Sequence, residues 1–123
     1  MGDHRYILVV DDYPGIRLLL SECLAACGYQ VETASGGEEA LRKVESRPPR
    51  LVLLDLKMPG LSGLSTFIAI KKMQPKLPVI IMTAYSEMAG RIAPPGHDFN
   101  HFLLSKPFDL NELYALIQNV LAD

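Results

Sequence analysis

The 123-residue sequence has no tryptophan, only two cysteines and no hydrophobic run near the roughly 20 residues that cross a bilayer. Its start, MGDHRYILVV, passes from polar residues into a strand-like segment rather than a signal peptide. It also lacks a lysine or arginine cluster, and its net charge of −2 disfavours direct binding of a nucleic-acid backbone. We therefore expect a cytoplasmic protein that binds neither membranes nor nucleic acid directly.

The scarcity of cysteine leaves one pair to interpret. The i, i+3, i+4, i+7 spacing of an apolar stripe predicts a buried helix face that includes both cysteines. The stripe consists of Ile16, Leu19, Leu20, Cys23, Leu24 and Cys27. Packing is the favoured interpretation, because the alternative of a redox or zinc pair lacks a second pair of nearby ligands and any sign of export.

Composition and length predict a single folded domain over residues 1–123. Hydrophobic residues make up 49% and charged residues 21% of the chain, which is ordinary for a globular protein. A chain of this size can bury a core without disulfides or a structural metal. No linker, repeat or low-complexity tract divides it.

Apolar segments rich in β-branched residues alternate with helix-like segments. Strands are predicted at residues 6–10, 31–34, 51–54, 79–82 and 102–104, and helices at about residues 14–27, 37–45, 62–73 and 110–121. Repeated βα units with right-handed crossovers predict a doubly wound α/β fold. The expected architecture is a five-stranded parallel sheet of order 2-1-3-4-5 with helices on both faces.

Local signals mark three helix starts. Pro14 suits the first turn of a helix. Ser35 with Glu38, and Asp109 with Glu112, have the spacing of capping boxes.

The helix expected between the fourth and fifth strands should be short or distorted. Ser86 could cap it, but Gly90 weakens the helical pattern. Pro94 and Pro95 should end any helix there, because proline removes an amide donor and disfavours helical backbone before it.

Polar side chains follow the predicted strands. Asp11 and Asp12 come after the first strand, Asp55 after the third, Thr83 after the fourth and Lys106 after the fifth. The carboxyl ends of parallel strands meet at one edge of a sheet, where ligands bind. Three carboxylates so close repel one another or require a cation, and hard oxygen ligands suit Mg²⁺.

Each of these residues has an ordinary explanation when taken alone. Asp11 and Asp12 could cap a helix, threonine often ends strands, and Lys106 with Pro107 could form a turn. Their joint occurrence at successive strand ends favours a functional site.

Four segments resemble the signature segments of the response-regulator receiver domain, over essentially the whole chain: ILVVDDYPGIR, LVLLDLKMPG, VIIMTAY and LSKPF. Within that family, DDYPGIRLLL, VIIMTAYSEM and HFLLSKPFDLNEL are most similar to a stand-alone sporulation-type phosphorelay receiver. The resemblance implies a flavodoxin-like fold and a phosphorylation switch or relay carrier in two-component signal transduction.

The resemblance also implies a role for each acidic residue. Asp55 would be the nucleophile and phosphorylation site, attacking the phosphorus of a phosphohistidine to form an acyl phosphate. Asp12 and Asp55 would hold Mg²⁺, with Asp11 binding directly or through water. The backbone carbonyl of Lys57 would complete the protein ligands. Such a protein catalyses its own aspartyl phosphorylation and slow dephosphorylation without being a classical enzyme.

Residues after the fourth and fifth strands would contact the phosphoryl group. Thr83 would hydrogen-bond a phosphoryl oxygen, Lys106 would pair with the phosphoryl group or with Asp55, and small Ala84 would leave the site open. The bond between Lys106 and Pro107 resembles the cis peptide of the family.

One position departs from the family pattern. The family usually has an aromatic residue three positions before the lysine, where this chain has Leu103, with Phe102 one position earlier. This departure leaves the operation of an aromatic switch at Phe102 open.

Three other classes of protein share part of this sequence pattern. A haloacid-dehalogenase-like phosphatase needs a second carboxylate two residues after its nucleophile, where this chain has Lys57. A flavodoxin-like cofactor binder must hold a phosphate in its first loop, where Asp11 and Asp12 would repel it. A phosphorylation-independent docking module keeps the fold without the chemistry and stays open as the alternative.

The resemblance implies protein partners. The phosphoryl donor would be a sensor histidine kinase or a histidine phosphotransfer protein, and the output would pass to a downstream relay or target protein. No helix-turn-helix, enzyme or dimerisation domain follows the last predicted helix, so output is expected to pass through a partner. A monomer is expected. The sequence does not identify the kinase or the target.

Overall fold

Strands and helices alternate between residues 7 and 84, as the sequence predicts, and a further strand and helix lie within residues 103–120. The computed structural model describes residues 5–56, 63–84, 103–106 and 109–122. Within these ranges the strands are β1 (Ile7–Val10), β2 (Val31–Ala34), β3 (Leu51–Asp55), β4 (Val79–Ala84) and β5 (Leu103–Lys106). The helices are α1 (Pro14–Ala26), α2 (Gly37–Ser46), α3 (Gly63–Met73) and α4 (Leu110–Val120).

The strands form one sheet in the order β2-β1-β3-β4-β5. Every neighbouring pair is parallel, so the predicted architecture and strand order are confirmed. All residues of β1 and β3 are buried, because both strands lie inside the sheet and are covered on both faces. This double burial explains why these segments are continuous apolar runs rather than alternating ones.

Alternate strand residues supply two cores, one on each face of the sheet. On one face, Leu8 of β1 belongs to a buried cluster with Val44 of α2 and Ile70 of α3. On the other face, Ile7 of β1 belongs to a cluster with Leu24 of α1 and residues of α4. Successive side chains of a strand point to opposite faces, so the adjacent residues Ile7 and Leu8 join different cores.

The helix starts agree with two of the three sequence signals. Pro14 occupies the first turn of α1, and Asp109 with Glu112 forms the predicted capping box of α4. The capping box predicted at Ser35 is wrong, because the N-cap of α2 is Gly36 and no side chain caps it.

The buried stripe predicted for α1 is narrower than its sequence spacing indicates. Leu20 and Leu24 are buried, whereas Leu19 is 47% exposed and Cys27 is exposed. Leu19 lies about 100° around the helix from Leu20, at the edge of the face that meets the sheet. Cys27 is the C-cap residue, and Gly28 follows it with a φ of 97° that ends the helix.

Several sequence expectations fall outside the described residues. These are the helix that could begin at Ser86, the carbonyl of Lys57, the aromatic position Phe102 and the peptide bond before Pro107. Among the helices that the structure describes, none has the length and apolar character needed to cross a membrane.

Candidate functional site

Three carboxylates meet at the carboxyl edge of the sheet. β1 and β3 are neighbours, and Val10 pairs with Leu54. The next residues of the two segments, Asp11 and Asp55, therefore lie side by side at the carboxyl ends of these strands. One oxygen from each of Asp11, Asp12 and Asp55 lies within 4.8 Å of the others. Asp11 and Asp55 are buried at 0% and 3% exposure, and Asp12 is half-buried. The predicted acid cluster is therefore present in the fold.

Asp11 is held by hydrogen bonds to its own loop and to β2. Its Oδ1 atom accepts a hydrogen bond of 2.9 Å from the amide of Tyr13, and its amide donates to the carbonyl oxygen of Ala34 on β2 at 3.2 Å. The alternative that Asp11 or Asp12 caps α1 is wrong, since the N-cap is Tyr13 and no side chain caps it.

The donor set fits a hard divalent cation. Asp12 Oδ1 is buried and has no hydrogen-bond partner among the residues that the structure describes. A buried carboxylate oxygen without a donor is unfavourable, and two further carboxylates beside it add repulsion. A small cation with oxygen ligands, such as Mg²⁺, would relieve both costs.

Asp55 is fixed by the backbone around it. It is the last residue of β3 and pairs with Met82 of β4. The next amide, of Leu56, donates to the carbonyl oxygen of Met82 at 3.2 Å. The first residue of α3, Gly63, donates its amide to the carbonyl oxygen of Leu56 at 3.1 Å. The strand end that carries Asp55 is therefore bonded on one side to β4 and on the other to α3.

Gly63 supports the site and was not predicted from the sequence. A Cβ atom at this position would lie 2.4 Å from the Cα atom of Leu56 and 2.6 Å from the carbonyl oxygen of Asp55. Only glycine allows α3 to start this close to β3. A glycine in the first turn of a helix, where it lowers helix propensity, was the available signal.

The other predicted site residues lie in strands that end at the same edge. Thr83 pairs with Ser105, and Ala84 pairs with Lys106, which is the last residue of β5. Thr83 directly follows Met82, the partner of Asp55 in the sheet. The structure describes the backbone of these residues, and the roles of Thr83, Ala84 and Lys106 stay predictions.

The cysteine pair is separate from this cluster. Cys23 is half-buried and Cys27 is exposed. The pKa of the Tyr114 hydroxyl on α4 is raised, chiefly by hydrogen bonding with the Cys23 thiol. Among the residues that the structure describes, three or more potential metal ligands come together only in the acid cluster. The two cysteines are not part of it.

Comparison with known proteins gives a consistent family assignment. The sequence profile of the response regulator receiver domain matches residues 7–118. The chain is 41% identical over 117 residues to sporulation initiation phosphotransferase F of Bacillus subtilis (strain 168), covering 94% of this chain and 92% of that protein.

Longer regulators and solved structures are also similar. The chain is 37% identical to the DNA-binding transcriptional regulator NtrC of Escherichia coli (strain K12) over 116 residues, 94% of this chain and 24% of that protein. It thus spans about a quarter of the length of the NtrC relatives. The crystal structure of response regulator TrrA from Thermotoga maritima in complex with Mg²⁺ and BeF superposes with a TM-score of 0.84 at 40% identity, covering 95% of this chain and 99% of that one.

The sheet order, the carboxylates at its edge and these similarities agree with one another. The chain belongs to the response regulator receiver domain family, whose members accept a phosphoryl group in two-component signalling.

Proposed function

We propose that residues 1–123 form one receiver domain that accepts a phosphoryl group onto Asp55 from a phosphohistidine of a partner protein. The observation that carries the proposal is the buried cluster of Asp11, Asp12 and Asp55, with one oxygen from each within 4.8 Å. A carboxylate fixed at a strand end in such a cluster can serve as a nucleophile once its charge is balanced.

Asp55 performs the bond exchange. One carboxylate oxygen attacks the phosphorus, an oxygen–phosphorus bond forms, and the phosphorus–nitrogen bond to the donor imidazole breaks. The product is an acyl phosphate on Asp55 and a dephosphorylated histidine on the partner. Since phosphoryl transfer depends mainly on positioning and charge, the bonds that fix β3 against β4 and α3 support this role.

Asp12 and Asp55 would hold Mg²⁺, with Asp11 binding directly or through water, and the carbonyl oxygen of Lys57, which lies outside the described residues, would complete the ligands. When bound, Mg²⁺ supplies the positive charge that offsets the carboxylates and the incoming phosphoryl oxygens. The buried Asp12 Oδ1, which has no hydrogen-bond partner among the described residues, supports this ligand set.

Thr83 and Lys106 act on the phosphoryl group after it arrives. The hydroxyl of Thr83 donates a hydrogen bond to a phosphoryl oxygen, and the ammonium group of Lys106 forms a charge-assisted pair with another. Thr83 lies near the end of β4, which neighbours the strand that carries Asp55, and Lys106 ends β5, which neighbours β4; these positions support the two roles.

The phosphoryl donor docks beside the site, on the first turns of α1. Tyr13, Leu18 and Leu19 are the large hydrophobic residues that the described structure leaves exposed, at 64%, 61% and 47%. Tyr13 directly follows Asp12 in the chain. A partner that covers Tyr13 therefore lies next to the acid cluster, where its histidine can reach Asp55. A sensor histidine kinase or a histidine phosphotransfer protein fits this surface, and the phosphoryl group passes on to a relay or target protein.

Phosphorylation is tested with a small donor. Incubated with acetyl phosphate and MgCl₂, the protein should gain the mass of one phosphoryl group, and EDTA should prevent the gain. Hydroxylamine should remove the label, as it does from an acyl phosphate. Asp55→Asn keeps the side-chain shape but replaces the anionic nucleophile with an amide, so its labelling should be lost.

Asp109→Asn is the matched control. It makes the same chemical change at an exposed N-cap, where asparagine is an equally good residue, and its labelling should equal that of the wild type. If folded wild-type protein gains no phosphoryl group from acetyl phosphate or from a phosphorylated phosphotransfer domain, a phosphorylation-independent docking module becomes the better description.

A further inference from the structure

Arg17 makes a contact with the acid cluster that no sequence pattern indicates. Its Nη1 atom donates a hydrogen bond of 2.7 Å to the main-chain oxygen of Asp11. The side chain of Arg17 is half-buried, and its amide donates to the carbonyl oxygen of Tyr13 at 3.1 Å. The guanidinium group therefore joins the first turn of α1 to the end of β1, across the loop that contains Asp12.

This contact constrains Asp12 through the peptide plane. The carbonyl of Asp11 and the amide of Asp12 belong to one planar unit that ends at the Cα atom of Asp12, so a bond that holds the carbonyl also holds the atom from which the Asp12 side chain leaves the backbone. The Oδ1 atom of Asp12 is buried without a hydrogen-bond partner among the described residues. The Cα position of Asp12 therefore contributes to the placement of this oxygen, and Arg17 holds the peptide that sets that position.

We propose that Arg17 is a positioning residue for the binding of a divalent cation. By holding the peptide between Asp11 and Asp12, it keeps the Asp12 oxygen beside those of Asp11 and Asp55. The inference rests on the proposed function, in which this cluster binds Mg²⁺.

Arg17 also carries a positive charge, and its two effects on Mg²⁺ affinity have opposite signs. Removing a positive charge near a cation site strengthens cation binding, because electrostatic repulsion falls. Removing a hydrogen bond that orients a metal ligand weakens binding, typically about 10- to 100-fold. The direction in which Mg²⁺ affinity changes therefore separates a positioning role from a purely electrostatic one.

Calorimetric titration with MgCl₂ measures this direction. Arg17→Ala should raise the Kd for Mg²⁺ about tenfold, and Arg17→Lys, which keeps the charge and one donor group, should recover part of the loss. Lys72→Ala is the control. It removes an exposed positive charge in the last turn of α3, at the opposite end of the sheet from the acid cluster, and should leave the Kd nearly unchanged.

A double substitution tests whether Arg17 acts through Asp12. In an Asp12→Ala background the ligand that Arg17 positions is absent, so adding Arg17→Ala should cause no further weakening. A general loss of stability would instead weaken Mg²⁺ binding in both backgrounds.

Hydrogen exchange gives a readout without metal. The amide of Tyr13, which donates to Asp11 Oδ1, should exchange faster in Arg17→Ala and at the wild-type rate in Lys72→Ala. Wild-type protein that binds Mg²⁺, with equal or tighter binding by Arg17→Ala, would overturn this inference alone. Wild-type protein that binds no Mg²⁺ would overturn the proposed function together with the role of Arg17 in it.

Discussion

Gly63 lies where any larger side chain would collide with the strand end that carries Asp55. Because the contacted atoms are backbone atoms of Asp55 and Leu56, they cannot move aside as a flexible side chain would. Gly63→Ala should therefore destabilise the protein by about 1–3 kcal/mol, as overpacking does, and slow the labelling of Asp55 by displacing its backbone. Urea denaturation and the rate of labelling by acetyl phosphate measure the two effects.

Gly15→Ala is the matched control for this substitution. Gly15 is also in the first turn of a helix, its φ is not positive, and a Cβ atom there would meet nothing within 4 Å. Alanine should stabilise the protein by roughly 0.4–1 kcal/mol at that position, since it restricts the unfolded chain. Equal stability changes for the two variants would show that crowding at Gly63 is not significant.

The predictability of a site residue from sequence depends on what fixes its position. Asp11, Asp12 and Asp55 could be placed together, because each directly follows a recognisable strand and parallel strands end at a common edge. Gly63 gave only the weak signal of a glycine in the first turn of a helix, and Arg17 gave none, because their contacts depend on how closely a helix approaches a strand. That distance is set by tertiary packing, and it has no local pattern in the sequence.

The start of α2 shows how one residue of register changes an element. The sequence pairs Ser35 with Glu38, but the helix begins after Gly36, so the third helical residue is Glu39. Glu39 Oε1 accepts hydrogen bonds from the Ser35 amide at 2.9 Å and from its hydroxyl at 3.0 Å. The glutamate therefore ties the helix to the residue before its N-cap, while the expected serine cap does not form.

Two conservative substitutions distinguish the predicted pair of Ser35 and Glu38 from the pair of Ser35 and Glu39 in the structure. Glu39→Gln should lower the free energy of unfolding at pH 7, because it weakens a charged acceptor of two hydrogen bonds. Glu38→Gln is the control, since Glu38 has the same charge in the same helical turn and is exposed. Both variants lose a favourable interaction with the helix dipole, so the difference between them reports on the bonds of Glu39 to Ser35 together with its ion pair to Lys43 at 3.9 Å. Equal losses would contradict the pairing in the structure.

The difference in the free energy of unfolding between wild type and Glu39→Gln should change with pH in a defined direction. The hydrogen bond from the Ser35 amide is the main cause that lowers the pKa of Glu39 below its ordinary value of 4.5. A carboxyl group with a lowered pKa stabilises the folded state fully above its ordinary pKa and loses that contribution as pH falls through the lowered value. The difference between wild type and Glu39→Gln should thus be present at pH 7 and disappear in strong acid.

At the scale of the whole molecule, the sheet order was predictable from the alternation of elements. Strands separated by helix-length segments must be parallel, and right-handed crossovers leave few arrangements. Which part of a helix faces outward was less predictable, because the apolar stripe of α1 includes Leu19 although the sheet covers only a narrower face. The apolar side chains that α1 leaves exposed supply the proposed docking surface for the phosphoryl donor.

Two phosphoryl donors test whether the exposed apolar surface of α1 binds the partner. Leu18→Ala removes an apolar side chain that is 61% exposed, so it should change stability little. With a phosphorylated histidine phosphotransfer domain as donor, labelling of Asp55 should slow by about tenfold, the effect of losing roughly 1.4 kcal/mol from an apolar contact at an interface. With acetyl phosphate, which needs no protein surface, the rate should equal that of the wild type. Equal slowing with both donors would assign Leu18 to the chemistry or the fold, and no slowing with either would place the docking surface elsewhere on the molecule.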